Sequence, residues 1–89
     1  MRWDRLASDW VANNLENQTV KEINRLMLVH VEQGYEIDQV REKRPEFASF
    51  QEFHYDLRLT AGEKEIYLET VLDETPTGPE VRVVNAHWK

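Results

Sequence analysis

The sequence predicts a small α+β domain in which two N-terminal helices and a short third helix pack on one face of a three-stranded antiparallel β-meander. Apolar residues recur at three- and four-residue spacing in the first third of the chain, which is typical of amphipathic helices. In the last third they alternate with polar residues on both sides of Gly62, which is typical of a β-hairpin. With 89 residues the chain can build one core, so we expect a single domain over residues 1–89.

Two amphipathic helices are expected first. The helix predicted over residues 3–16 has an apolar stripe of Trp3, Leu6, Ala7, Trp10, Val11 and Leu15. Thr19 and Glu22 form a capping-box pattern that begins a second helix, and Gly34 is suited to end it. Apolar side chains cover more than half of this second helix, so we expect it to lie between the first helix and the sheet.

The rest of the chain is predicted to add a short helix and three strands. The helix is expected over Glu36–Lys43. It should end before Pro45, because the residue that precedes a proline disfavours helical conformation. The strands are expected over Phe53–Thr60, Glu65–Leu72 and Glu80–His87. A tight turn at Gly62 would pair Leu59 with Ile66 on the helix-covered face and Asp56 with Glu69 on the outer face, the one away from the helices.

The outer face is expected to carry the chemistry of the protein. The first two strands place His54, Asp56, Arg58, Tyr67, Glu69 and Val71 on it. We expect Glu69 to lie opposite Val83, a register that adds Val81, Val83, Asn85 and His87 to the same face. Two directly opposed carboxylates, Asp56 and Glu69, repel each other unless a cation or ligand intervenes.

These residue types suit a metal-independent ribonuclease. Glu69 would be the base that deprotonates the ribose 2′-hydroxyl, and His54 or His87 would be the acid that protonates the leaving oxygen. Arg58 would bind the phosphate, and Tyr67 would provide a stacking platform for a base. Asp56 and Asn85 on this face, and Arg82 on the last strand, are further predicted binding residues.

A metal site built from His54, Asp56, Glu69 and His87 is a weaker interpretation. Imidazole and carboxylate groups are suitable ligands, and His54 and Asp56 point the same way along a strand. However, the chain lacks a His-x-x-x-His spacing, and Arg58 would repel a cation. We therefore expect no metal and no cofactor.

Composition favours binding over catalysis. The formal net charge is −6, from seventeen carboxylates and eleven cations, which argues against non-specific binding to nucleic acid. There is no cysteine, which fits a reducing setting, and the N-terminus lacks the apolar run of a signal peptide, so we expect a cytoplasmic protein without membrane association.

We therefore expect a non-catalytic protein-interaction or regulatory module with an acidic surface. Such a module predicts a negative patch of Asp56, Glu65, Glu69 and Asp73 that meets a basic protein partner. The alternative is the ribonuclease, for which RNA would be the partner and for which Arg58 and Arg82 would form a local positive patch. A homodimer through a sheet edge or the outer face is a third alternative.

The order of elements over residues 20–88 resembles that of small toxin-like domains of the RelE and BrnT type, which belong to a ribonuclease-like fold group. The segments that carry the resemblance are Leu28–Gly34, Glu36–Arg41 and Val83–Trp88. The resemblance implies metal-independent RNA cleavage, with a functional residue near the last strand that matches Arg82 or His87.

Overall fold

A five-stranded mixed sheet is the framework of the computed structural model, which describes residues 1–16 and 18–89. The elements in chain order are β1 (Arg2–Trp3), α1 (Arg5–Asn14), α2 (Val20–Glu32), β2 (Asp38–Arg41), α3 (Pro45–Ala48), β3 (Phe53–Ala61), β4 (Lys64–Thr75) and β5 (Gly78–Trp88). The spatial order of the strands is β1-β5-β4-β3-β2. The pair β1–β5 is parallel, and the other pairs are antiparallel.

The α+β class is confirmed, but the predicted three-stranded antiparallel meander is wrong, because β1 and β2 extend the sheet at its two edges. β1 replaces the predicted start of the first helix at Trp3, and the helix begins at Arg5. Trp3 pairs with Val83, and the Asp4 amide donates a 2.8 Å hydrogen bond to the Val83 carbonyl. A two-residue strand has no detectable periodicity, so its pairing with β5 could not be predicted from the sequence.

The predicted helix over Glu36–Lys43 is also wrong. Residues Asp38–Arg41 form β2, which pairs with β3, and cross-strand hydrogen bonds stabilise this segment as extended chain. The third helix lies later, at Pro45–Ala48, with the proline in its first turn, where the missing N–H has no cost. The segment that contains α3 contacts the outer face of the sheet through Arg44, so this helix does not join the other two.

The core lies between the sheet and the two longer helices. Its buried residues are Ala7, Val11, Ile23, Met27, Leu57, Leu59, Ala61, Ile66, Leu68, Val83 and Ala86. Trp10 meets Trp88 edge to face, with ring centroids 4.9 Å apart. The predicted helix cap is confirmed, since Thr19 accepts a hydrogen bond from the Glu22 amide, and Gly34 follows α2 with a φ of 73°.

The predicted β3–β4 register is confirmed, whereas that of the last strand is wrong in part. Leu59 lies opposite Ile66 and Asp56 opposite Glu69, as predicted. Glu69 lies opposite Asn85 rather than Val83, and the next pair is Thr70 with Val83, so an irregularity in β5 shifts the register by one residue. Val83 and Val81 therefore turn toward the helices, while Asn85 and His87 keep their predicted place on the outer face.

The helices of the described ranges include none long and apolar enough to cross a membrane.

Candidate functional site

The outer face is partly covered by the connection between β2 and β3, residues 42–52, which we call the covering segment. The Glu42 side chain is fully buried, although it is charged. Val71 and Val84 are also buried, yet they do not belong to the core between the sheet and the helices. The outer face is therefore a second, mostly polar interior rather than an open surface.

Arg44 joins the covering segment to the sheet. Its Nε and Nη2 atoms donate to the two carboxylate oxygens of Glu42 at 2.8 and 2.7 Å, and Nη2 also donates to Glu69 on β4. The guanidinium holds the pKa of Glu42 down, from 4.5 to about 2, and the pKa of Arg44 is raised by the same contact. A bidentate pair of this geometry fixes both side chains.

A second group of polar contacts lies beside the first and centres on Asp56, which is 5 % exposed. His54 Nδ1 lies 3.0 Å from Asp56 Oδ1, and the Tyr67 hydroxyl donates to Asp56 Oδ2. The hydrogen bond to the carboxylate raises the pKa of Tyr67 to about 12, and burial adds to the effect. The two carboxylates that the sequence placed opposite each other, Asp56 and Glu69, are thus each stabilised by a donor.

His87 and Arg58 occupy the rim of this group. The His87 ring stacks on the Tyr67 ring with centroids 5.0 Å apart, and its Nδ1 lies 3.1 Å from the Trp88 carbonyl. Arg58 donates to Asp38 at 2.7 Å and lies over the Tyr67 ring. Both are predicted site residues and lie beside Tyr67, but Arg58 already has a carboxylate partner.

The two remaining predicted binding residues have structural contacts of their own. Arg82 donates to Asp73 at 2.7 Å and to Asp4 at 2.9 Å, contacts that lower the pKa of Asp73 and raise that of Arg82. Asn85 accepts a hydrogen bond from the Ala86 amide. Arg82 therefore links β4 and β5 to the N-terminus, away from Tyr67 and Glu69.

Sequence reasoning missed Glu42, Arg44 and Asp38 as members of the site. The first two lie at the end of the stretch that was predicted as the third helix, and only the fold shows that this stretch crosses the sheet. Asp38 was missed because its strand was predicted as a helix. A pattern of Glu-x-Arg-Pro was the only local signal, and it is too common to assign a site.

A separate feature lies on the other side of the sheet, where α2 leaves one end of the helix-covered face exposed. We call it the apolar groove; its volume is about 370 Å³. It is lined by Met1, Met27, Leu28, Val31, Ile37, Tyr55, Leu57, Thr70, Leu72 and Val81. The lining is apolar apart from the hydroxyl groups of Tyr55 and Thr70. Its residues come from several elements, so the groove was not predicted from the sequence.

Comparison of this chain with protein-family models, curated proteins and solved structures finds no match. The outer face and the apolar groove are therefore the two features of the structure on which a function can be based.

Proposed function

We propose that this protein is a non-catalytic interaction module whose apolar groove binds an amphipathic, positively charged segment of a partner protein. The observation that carries the proposal is the exposure of adjoining apolar side chains along the groove. Met1, Leu28 and Val31 are each more than half exposed, at 51, 56 and 53 %. Contiguous apolar surface of this kind is uncommon on a monomer and is typical of a binding site.

The groove has the form of a site for a peptide segment. Its floor is strand surface, from Leu57 on β3 to Leu72 on β4 and Val81 on β5, and its wall is the end of α2. The backbone of both elements is fixed by hydrogen bonds within the sheet and the helix. A preformed apolar groove of this shape favours an amphipathic segment, whose apolar side chains enter it while its polar side remains in water.

The charge around the groove indicates a basic partner. Glu32 follows Val31 directly, Glu36 precedes Ile37, and Glu74 lies two residues beyond Leu72 on the same face of β4. Within residues 1–16 and 18–89, none of these three carboxylates forms an ion pair. These three carboxylates outnumber the two cations at the N-terminal end of the lining, the Met1 amino group and Arg2. Together with the net charge of −6, they would attract a cationic segment and repel an anionic one.

The predicted acidic patch on the outer face gives less support. Asp56, Glu65, Glu69 and Asp73 each contact a donor of this chain, namely Tyr67, Lys89, Arg44 and Arg82. These carboxylates are therefore less available to a partner than those around the groove, which is why we place the binding surface at the groove.

Methyl shift mapping with model peptides tests the proposal. The probe is a Leu/Lys amphipathic peptide long enough for about four helical turns, and its matched control has Glu in place of Lys. We expect the Lys peptide to shift the methyl signals of Leu28, Val31 and Leu72, and the Glu peptide to shift them much less. The variant Leu28→Ser should weaken binding, whereas Leu6→Ser, at a residue 68 % exposed on α1, should not.

Two outcomes would overturn the proposed occupant. Equal shifts with both peptides, or shifts confined to the outer face, would remove the case for a cationic partner at the groove. Light scattering on the same samples would show whether a second copy of the chain covers the groove instead, since self-association would then rise with concentration and be lost in Leu28→Ser.

A ribonuclease is the second candidate, and one observation favours it. The outer face brings His54, Tyr67 and Glu69 together, with His87 stacked on Tyr67, as the sequence analysis proposed for base, acid and stacking platform. Against it, Arg58 and Arg82 are paired with carboxylates of this chain, so neither is a free phosphate ligand. The resemblance to RelE- and BrnT-type domains remains a proposal.

A gel assay with short single-stranded RNA, in a buffer with a chelator, tests this second candidate. Cleavage that is lost in both His87→Ala and Glu69→Gln would support it. Absence of cleavage, or cleavage that survives both changes, would count against an active site on the outer face.

A further inference from the structure

We propose that His54, Asp56 and Glu69 bind a divalent transition-metal ion on the outer face, with ligands of the type that zinc accepts. One ligand atom from each of the three side chains lies within 4.8 Å of the other two. This proposal is independent of the apolar groove, because it concerns the opposite side of the sheet and rests on different residues.

The positions of the three side chains are fixed by the sheet. His54 and Asp56 are alternate residues of β3 and point to the same face, and Asp56 is paired directly with Glu69 on β4. His54 Nδ1 and Asp56 Oδ1 are 3.0 Å apart. Two ligands of one tetrahedral zinc ion lie roughly 3.4 Å apart, given zinc–ligand distances of about 2.1 Å. Small side-chain rotations would therefore bring all three atoms to a shared ion.

The contacts around these ligands would hold them in a binding orientation. Tyr67 donates to Asp56 Oδ2 and Arg44 to Glu69 Oε2, while Asp56 Oδ1 lies beside His54 Nδ1. Outer contacts of this kind orient the ligands of metal sites. The predicted repulsion by Arg58 is weakened, because its guanidinium is paired with Asp38.

The charge balance of this region provides a second, independent argument. The Glu42, Asp56 and Glu69 side chains are 0, 6 and 13 % exposed. The Arg44 guanidinium contacts Glu42 and Glu69, whereas Asp56 contacts His54 and Tyr67. Three carboxylates and one guanidinium leave two negative charges uncompensated in a poorly solvated place. A divalent cation neutralises both.

The ligand types define the ion. One imidazole and two carboxylates favour zinc and similar first-row ions over magnesium or calcium, which prefer oxygen ligands alone. Three protein ligands leave a fourth position for water or for a group from a bound molecule.

Zinc titration of the tag-free, chelator-treated chain tests the proposal, with the ring nitrogens of all three histidines observed by NMR. We expect saturable 1:1 binding, with a large shift of the His54 Nδ1 signal and little change at His30 and His87. Because this measurement uses the unmodified chain, it does not depend on whether a variant folds. Magnesium in place of zinc should give no shift at His54.

Two variants and a matched control assign the ligands by calorimetry. His54→Gln and Glu69→Gln should each weaken zinc binding at least about tenfold, as loss of a metal contact does. Glu63→Gln, which changes an exposed carboxylate in the β3–β4 turn outside the cluster, should leave the affinity unchanged. The proposal is overturned if zinc shows no saturable binding, if the shifts occur at His30 or His87, or if affinity is retained in both ligand variants.

Discussion

Arg44 shares its guanidinium between Glu42, two residues away in the chain, and Glu69, twenty-five residues away. The first contact is local, but the second joins the covering segment to the central strand β4. Because the Glu42 side chain is fully buried, its charge depends on this one partner. The pair therefore holds the covering segment against the outer face, and with it the residues that we propose as a metal site.

Replacement of Arg44 by Met should destabilise the protein strongly. The change leaves the buried carboxylate of Glu42 without its guanidinium partner and removes the contact of the covering segment with Glu69. Breaking a buried ion pair in this way costs about 3–5 kcal/mol of unfolding free energy. Urea denaturation at neutral pH measures the effect.

Arg5→Met is the matched control. Arg5 pairs with Asp9 on the surface of α1, and its side chain is 93 % exposed, so the same change should alter stability by less than about 0.5 kcal/mol. An equal effect of the two substitutions would show that the contact of Arg44 is no stronger than a surface ion pair.

The buried pair also predicts a pH dependence of stability. Glu42 has a pKa of about 2 in the folded protein, below the ordinary 4.5, so the unfolded chain takes up its proton first as the pH falls. The contribution of Glu42 is therefore complete above about pH 4.5 and is lost as the pH falls through about 2, a change of about 3 kcal/mol. The lowered pKa of Asp73 acts in the same direction.

The urea midpoint as a function of pH checks this prediction against Glu42→Gln. The variant should be less stable than the natural protein at neutral pH, and the difference should shrink on acidification. Parallel curves for the two proteins would contradict the assignment of this acid sensitivity to Glu42.

The elements that the sequence predicted correctly are those with several turns or repeats of a pattern. The two long helices and the β3–β4 hairpin have clear periodicity, and the Gly62 turn fixes the hairpin register. β1 has only two residues, and β2 has only four, with a mixed pattern that suits either structure. Both strands form because a partner strand offers hydrogen bonds, and long-range pairing of this kind leaves no trace in local spacing.

The candidate site was predictable to the same extent. The pairing of Asp56 with Glu69 across the two strands follows from the hairpin register. The same register correctly predicts that His54 and Tyr67 lie beside this pair. The sequence did not show that Arg44 crosses to Glu69, because a turn of the covering segment determines this contact. Strand alternation did identify His54, Asp56 and Glu69 as possible metal ligands, but no ligand motif surrounds His54, so a metal site was the weaker interpretation.

Arg82→Gln should loosen the N-terminus of the chain. Arg82 donates to Asp4 and Asp73, and Asp4 in turn follows β1, whose pairing with β5 has only two residues. Loss of two charge-assisted contacts that are partly exposed should cost about 1–2 kcal/mol.

Hydrogen exchange at the Asp4 amide is the sensitive measurement, because this amide donates to the Val83 carbonyl. We expect it to exchange markedly faster in Arg82→Gln, while the amide of Leu68, in the centre of the sheet, changes only with global stability. Unchanged exchange at Asp4 would show that the β1–β5 pairing does not depend on Arg82.

Tyr67→Phe should destabilise the protein by about 1–3 kcal/mol, because the buried carboxylate of Asp56 then loses a hydrogen-bond donor. Tyr35→Phe, at a residue 58 % exposed, should have little effect.

The raised pKa of Tyr67 also predicts that stability depends on pH at the alkaline end. Since the phenol of Tyr67 has a pKa of about 12 in the folded protein and about 10 in the unfolded chain, its contribution is complete below pH 10 and is lost as the pH rises through about 12.

Alkaline titration of tyrosinate absorbance separates this effect from simple packing. In the natural protein one tyrosine should ionise near pH 12, and that step should be absent in Tyr67→Phe. In Asp56→Asn the carboxylate is gone but the ring keeps its place, so the same step should move toward pH 10. A late step that persists in Tyr67→Phe would belong to another tyrosine, and the hydrogen bond to Asp56 could not then be its cause.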